Sequence, residues 1–403
     1  MLSYSDALET ILSLPFRIET ERVPLLDACE RIMAAPFQAA FALPRFDQSA
    51  MDGYCVRASD FQGALPITLP VVGESAAGRP SADALAPGTA MGISTGAKLP
   101  AGADAIVPVE WTTPSADGAR VTIAQQPTAG RFIRRQGEDV ADGAWLFGPG
   151  KRLSPAALAF LAMYNVPEIE VFRRPRVAVF TSGDEIKAFG EALRETDIVG
   201  VNVYYLEHEL RAFGCDVRFF GIAPDEPAAW RAMFEDALGW GDAVVTTAGV
   251  SMGEHDVVGG CIRDLGGRVR FWKANVRPGK PMLVAEVGGK PFFGLPGNPV
   301  SVCANTEIFL KPFLRQALAI QPIETPRRAM TLVSECPRDK ARLFFVFARS
   351  AVRDGREIVE ALAHQSSGNL ANPASANALI VAEPGPDAIA AGETVSVLPI
   401  TPF

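Results

Sequence analysis

Histidine is scarce. The chain of 403 residues has three, His208, His255 and His364, and none is spaced to share a zinc ion with another. Any metal is therefore expected to be a hard divalent cation, such as Mg²⁺, on carboxylate oxygens. The six cysteines (29, 55, 215, 261, 303 and 336) contain no Cys-x-x-Cys pair and read as free, mostly buried thiols, although three disulfides are arithmetically open. No stretch approaches the roughly 18 apolar residues of a membrane-spanning helix. The start, "MLSYSDALETILSLP", lacks the basic region of a secretion signal. It reads as an acidic amphipathic helix with Leu8, Ile11 and Leu12 on one face, and the expected location is the cytoplasm. Positive charge is in deficit, 38 Lys plus Arg against 46 Asp plus Glu, for a net −8. That argues against nonspecific nucleic-acid or anionic-membrane binding. Tandem repeats and low-complexity segments are missing. So is a strand followed by Gly-x-Gly-x-x-Gly, which speaks against an ordinary dinucleotide-dependent oxidoreductase.

What is present divides the chain. Residues 30–150 carry short β-like runs such as "LPITLPVVGE" and "ARVTIAQQP", punctuated by Gly and Pro. Turn signals every 8–12 residues or so predict small β units. "SPAALAFLAMYNV" (154–166) predicts one helix, with Ser154 as N-cap and Pro155 in the first helical position. From Arg176 strands and helices alternate. "RVAVF" predicts a buried strand, and "NVYYLEHELRAFG" a helix with Val203, Leu206, Leu210 and Phe213 on one face and Gly214 as C-cap. "DVRFFGI", "EPAAWRAMFEDALG" and "GDAVVTT" continue the pattern, followed by a helix near 256–265. "RVRFWKANV" and "PMLVAEV" read as further strands, and a last helix is expected over 299–318. This is a multidomain α/β plus β chain: a central three-layer, mostly parallel α/β domain, Gly/Pro-rich β domains before it, and a small all-β domain over 324–403.

In open α/β sheets, ligands bind outside the carboxyl ends of the strands. Four loops fall there: "TSGDE" (181–185), "APDEP" (223–227), "AGVSMGEHD" (248–256) and "LPGNP" (295–299). Three carry carboxylates and three carry glycine. Glycine lets backbone N–H groups approach an oxyanion, and a helix N-terminus adds positive potential. Taken singly each loop is an ordinary turn, "SGDE" is a helix N-terminus with dipole-complementing acids, and His255 is a solvated loop residue. Their conjunction at one sheet edge points to a site for a phosphate-like group. "FWKANVRPGKP" adds Lys273, Arg277 and Lys280, which form either an anion clamp or a solvated charged edge. If that run stays extended, Lys273 and Arg277 share one face. In the first half, "PRFDQSAMDGYCV", "ISTGAKLPAGAD" and "RRQGEDV" are polar loops without an evident packing role, and Asp52-Gly53 alone is a hairpin signal.

These stretches, in this order, resemble the MoeA family of molybdopterin molybdenumtransferases and the related E domain of gephyrin. "SAMDGY" and "GLPGNPVS" are the most specific, and "HQSSGNLANPASANALIVAEPGP" fits the closing pattern loosely. The resemblance implies an elongated homodimer with four domains per chain: 1–45 with 141–173, 46–140, 174–322, and a C-terminal β-barrel-like domain at 323–403. It implies insertion of molybdate into adenylylated molybdopterin with release of AMP, aided by a divalent cation such as Mg²⁺. Molybdopterin adenylyltransferase and client molybdoenzymes are the implied partners.

The resemblance also implies a site between subunits. Asp52, Thr95 and Asp139 would come from one side, and the acids Glu185, Asp225 and Asp256 from the α/β domain would place the cation. Asn202, Gly249, Ser251 and Gly253 would cradle the pterin phosphate region. Lys273, Arg277 and Lys280 would neutralise charge, and Pro296, Gly297, Asn298, Pro299 and Ser301 would form the rigid corner. Three departures stand out. Thr247-Ala248-Gly249 replaces Ser-Gly-Gly, Gly200-Val201-Asn202 replaces Asp-Ser/Thr-Asn, and Arg277 stands where lysine is commoner. The Ala248 and Val201 departures motivate one rival, a non-catalytic scaffold that delivers cofactor to a client enzyme; a second rival is a related nucleotidyltransferase that makes the adenylylated intermediate. The long first half argues against the second.

Overall fold

Residues 1–224, 226–248 and 257–400 are described by a computed structural model. The chain separates into two compact units, Met1–Ala35 with Pro149–Ala159 and Pro167–Phe403, and Pro36–Gly148 with Phe160–Val166.

The larger unit is built around a six-stranded sheet whose alternation is visible in the sequence. In the strand Arg176–Ser182, Val177 and Val179 enter one core while Ala178 and Phe180 enter another. The period of two sends neighbours to opposite faces, so an uninterrupted apolar strand must be covered on both sides. One cover is the helix Val201–Phe213, whose Val203, Leu206, Leu210 and Phe213 are all buried, closed by Gly214 in the left-handed conformation (φ 112°). The other includes the helix Pro227–Trp240, whose Trp230 and Phe234 pack on Phe180 with ring centroids 5.3 and 6.4 Å away.

The sheet order is Asp216–Ala223, Arg176–Ser182, Ala243–Thr247, Lys290–Leu295, Pro281–Val287, Arg268–Lys273. The first four strands run parallel, Pro281–Val287 runs against them, and Arg268–Lys273 pairs antiparallel with Pro281–Val287. The final helical run starts at Pro299 and continues to Ala317 through a π-helical turn, Thr306–Leu310, that residue patterning did not foresee.

The stretch "FWKANVRPGKP" is not one strand. Arg268–Lys273 ends in the α/β sheet, and Val276–Arg277 pairs with Leu343–Arg353 of the C-terminal sheet. The expectation that Lys273 and Arg277 share a strand face therefore fails, because the chain changes sheets between them. That C-terminal sheet closes on itself: Leu343–Arg353, Arg356–Ala361, Arg328–Leu332, Thr394–Pro399 and Ala378–Ala382 form a five-strand barrel. Phe344 and Val346 fill its interior, while Phe345 and Phe347 point into the core that holds Phe309 and Phe313.

The smaller unit contains a six-stranded sheet of short strands, Gly53–Val56 and Ile67–Ser75 among them, around Val56, Leu69, Val107 and Ile123. The six cysteines are thiols outside any disulfide, and all but Cys29 are buried. Among the described residues no helix is long and apolar enough to cross a membrane.

Candidate functional site

A cavity of about 490 Å³ opens at the carboxyl edge of the parallel strands. Its walls come from segments far apart in sequence. Thr181 lies near the end of Arg176–Ser182 and Glu185 follows that strand, Asn202 is in the first turn of Val201–Phe213, Ala248 follows Ala243–Thr247, and Pro296, Gly297, Asn298 and Pro299 lead from Lys290–Leu295 into the last helix. This is where a doubly wound sheet leaves its crevice.

Each wall has a local cause. Asn298 is the N-cap of the helix at Pro299, and proline there loses no hydrogen bond because the first helical N–H groups have no intrahelical acceptor. The Asn202 side chain ties two walls together, Nδ2 donating to the Gly297 carbonyl at 2.7 Å. Beneath the floor, Thr247 donates its hydroxyl to Thr181 Oγ1 at 2.9 Å, and Thr181 donates to the Thr247 carbonyl at 3.0 Å, both residues being buried. Gly183 leaves room for Glu185: a Cβ there would lie 2.7 Å from Glu185 Oε2. Glu185 leads into a short strand, Ile186–Lys187, and not into a helix.

Ala248 carries a φ of 71°, a left-handed conformation that an L side chain adopts at a cost. This is the position where the sequence departs from the first glycine of the Ser-Gly-Gly pattern.

The remaining expected residues are placed as follows. Ser301 is buried one turn inside the last helix, and Lys280 precedes Pro281, which lines the cavity opposite Lys273 in the strand register. Arg277 faces the barrel domain, its guanidinium 3.3 Å from Asp339 and 4.4 Å from the centroid of Phe344. Burial tends to raise the Asp339 pKa, but hydrogen bonds from Arg342 and from the backbone N–H groups of Ala341 and Arg342 hold it well below the usual carboxylate range. Asp225, Gly249, Ser251, Gly253, His255 and Asp256 lie outside the described residues.

In the smaller unit, Asp52 and Thr95 meet. Thr95 donates its backbone N–H and its hydroxyl to Asp52 Oδ1 at 2.6 and 3.0 Å. Those two bonds hold the Asp52 carboxyl below its ordinary value. Asp139 pairs with Arg134 in the same unit.

Residue reasoning placed Thr181 at this edge only as part of the "TSGDE" loop and missed Ile186, Ile198, Val199 and Pro281. Thr181 was accessible, since it lies next to the carboxyl end of a strand at the ligand-binding edge. Ile186 and Ile198 were not, because only a parallel pairing of two-residue strands brings them side by side.

Among the described residues no group of three His, Cys, Asp or Glu side chains is placed to hold a metal. Among the described residues the cavity offers one hard oxygen donor with charge, Glu185, which suits a cation that keeps waters and takes further oxygens from a phosphate.

An α/β domain with a glycine- and proline-walled crevice at the carboxyl edge of its sheet, followed by a closed β-barrel, defines a multidomain α/β plus β protein. Family profiles match in sequence order: the MoeA N-terminal region (domain I and II) over residues 2–164, a probable molybdopterin binding domain over 178–316, and the MoeA C-terminal region (domain IV) over 331–400. The chain belongs to the MoeA family. It is 33% identical over 402 residues to a molybdopterin molybdenumtransferase of Haemophilus influenzae, covering 99% of this chain and 98% of that one. It is 36% identical over 389 residues to molybdopterin molybdenumtransferase 2 of Mycobacterium tuberculosis, covering 94% and 95%. A crystal structure of a molybdopterin biosynthesis moeA protein from Pyrococcus horikosii is similar over 100% of this chain and 99% of that one, with a TM-score of 0.85 and 28% identity.

Proposed function

We propose that this chain inserts molybdate into adenylylated molybdopterin and releases AMP, the last step of molybdenum-cofactor synthesis, in the cytoplasm and as a homodimer. The observation that carries the reading is the gathering of Glu185, Asn202 and the Pro296–Pro299 corner around one cavity at the carboxyl edge of the sheet, in a chain of the MoeA family.

The substrate brings a phosphoanhydride and a second oxyanion, molybdate. Both need positive potential and fixed donors more than a nucleophile, so the work is positioning and charge stabilisation. In the stiff corner at 296–299 the backbone donors are the Gly297 and Asn298 N–H groups, since the prolines have none and the Val300 and Ser301 N–H groups donate to the Ser367 and Asn298 carbonyls. Lys273 and Lys280 supply positive charge near Pro281, and Arg277 extends it toward the barrel. Ser301 steadies the corner from within, its N–H donating to the Asn298 carbonyl at 3.0 Å. Glu185, with Asp225 and Asp256, would hold a divalent cation such as Mg²⁺, which when bound neutralises the phosphate oxygens. Gly249, Ser251 and Gly253 would complete the cradle around the pterin phosphate. Asp52 and Thr95, with Asp139, would complete the site from a second subunit, where Thr95 keeps Asp52 ionised and aimed. Molybdopterin adenylyltransferase would deliver the substrate and client molybdoenzymes would accept the product.

Incubation with adenylylated molybdopterin, molybdate and Mg²⁺ should release one AMP per cofactor formed. Tight binding of the adenylylated substrate without AMP release would overturn the catalytic reading.

A further inference from the structure

Two residues that the oxyanion chemistry leaves unused occupy the mouth of the same cavity. Ile186 and Ile198 are direct partners in a parallel pairing of two short strands, Ile186–Lys187 and Ile198–Val199, and both line the cavity. The pairing is tightly held. The Ile198 N–H donates to the Glu185 carbonyl at 2.9 Å, the Gly200 N–H to the Lys187 carbonyl at 2.9 Å, and the Ile186 N–H to the Gly183 carbonyl at 3.0 Å. The connecting loop is anchored as well: Arg194 grips Asp197 through Nε and Nη2, and the Phe189 N–H donates to the Tyr204 hydroxyl at 2.7 Å.

Ile186 sits where it does because two glycines clear its path. A Cβ at Gly183 would come within 2.9 Å of Ile186 Cγ1, and one at Gly200 within 2.9 Å of Ile186 Cγ2. Ile198 is 54% exposed, so a large apolar side chain stands in water at the rim of the cavity. Val199 and Val201 extend the same wall. Glu185, the residue before Ile186, places a carboxylate beside this wall. One short element thus offers charge on one side and rigid apolar surface on the other.

We propose that Ile186 and Ile198 form a shelf that receives the flat heterocyclic end of the substrate while the glycine and proline corner takes its phosphates. This rests on the function proposed above and names what that function leaves open, the part of the site that recognises a ring. The ligand chemistry is a planar, nitrogen-containing ring joined to a phosphate, which describes both the adenine and the pterin halves of an adenylylated pterin. Covering a half-exposed isoleucine with a ring removes apolar surface from water, which is worth about a tenfold change in affinity.

The experiment is calorimetric titration of the full chain with pyrophosphate, AMP and 6-hydroxymethylpterin diphosphate, for wild type, Ile198→Ser and Ile198→Leu. Ile198→Ser is expected to weaken one ring-bearing ligand about tenfold and leave pyrophosphate within twofold, with Ile198→Leu restoring the loss. Weakened AMP identifies adenine on the shelf, and weakened pterin diphosphate identifies the pterin. Equal weakening of all three ligands, or of none, overturns the shelf. A wild type that binds none of them removes the proposed function itself, and the shelf with it. The position is exposed, so the serine variant should fold, and an unchanged thermal midpoint verifies that each loss is local.

Discussion

Thr95 donates two hydrogen bonds to a single oxygen of Asp52, at 2.6 Å from its backbone N–H and 3.0 Å from its hydroxyl. The other carboxylate oxygen accepts no bond from a described residue. An exposed acid held this firmly by one edge is oriented, with its second oxygen left for another partner.

Removing that carboxylate should cost activity and not stability. Asp52→Ala is expected to lower AMP release about a hundredfold or more, the scale of losing a positioned charge-handling group. Its thermal midpoint should stay within a few degrees, because surface substitutions change stability little. A collapse of the midpoint would make Asp52 a structural turn acid.

The same contact sets a pH dependence. The Thr95 backbone N–H, then its hydroxyl, hold the folded-state pKa of Asp52 below its ordinary value. A depressed acid stabilises the fold above its unfolded pKa, and the contribution is lost as pH falls through the folded value. Thr95→Val removes the hydroxyl and keeps the N–H, so the Asp52 pKa should rise only part of the way back. Carboxyl-resolved NMR titration measures the shift, and an unmoved pKa would mean that the hydroxyl contributes nothing.

Ala248 is strained by its own side chain. At φ 71° an alanine costs about 1 kcal/mol or more relative to the right-handed region, and glycine does not. Ala248→Gly should therefore raise stability by up to about 1 kcal/mol, net of the entropy a glycine adds to the unfolded chain. Its ligand affinity should hold or improve, since the methyl faces Gly297, where a Cβ would lie 3.5 Å from it. Chemical denaturation gives the first quantity and pyrophosphate titration the second. A loss of stability would show that packing at Ala248 outweighs the backbone strain.

Below the corner, Lys311 bridges Glu307 at 2.6 Å and Glu209 at 2.5 Å, with the lysine and Glu307 side chains almost wholly buried. Burial pushes the Glu307 pKa up, and the lysine beside it opposes the shift. Lys311→Met should destabilise by about 3–5 kcal/mol by stranding buried acid, and adding Glu307→Leu should recover much of that loss. Denaturant midpoints of the single and double variants test it, and a single variant as stable as wild type would show that the pair contributes no net stability.

Much of the α/β domain was legible because its signals are local. Alternation in "RVAVF", the helical face from Val203 to Phe213, Gly214 as terminator and Pro299 as initiator each state one residue's conformational preference, and each element lies where those preferences put it. The Ala248 departure was equally visible as a letter, although its strain is a property of φ that only the folded chain has. Glu185, Asn202 and the 296–299 corner could be assigned to one edge because parallel strands carry all their carboxyl ends to the same side.

Residue order and local chemistry thus settled the elements, their facing and the edge at which loops collect, since each depends on neighbours a few positions away. The folded chain alone decided the rest. Arg277 went to the barrel because the strand broke and changed sheets, Ile186 met Ile198 because two residues on each side paired in parallel, and a π-turn entered the last helix. These outcomes turn on long-range pairing and packing, where many partners compete and no short stretch of sequence names the one that wins.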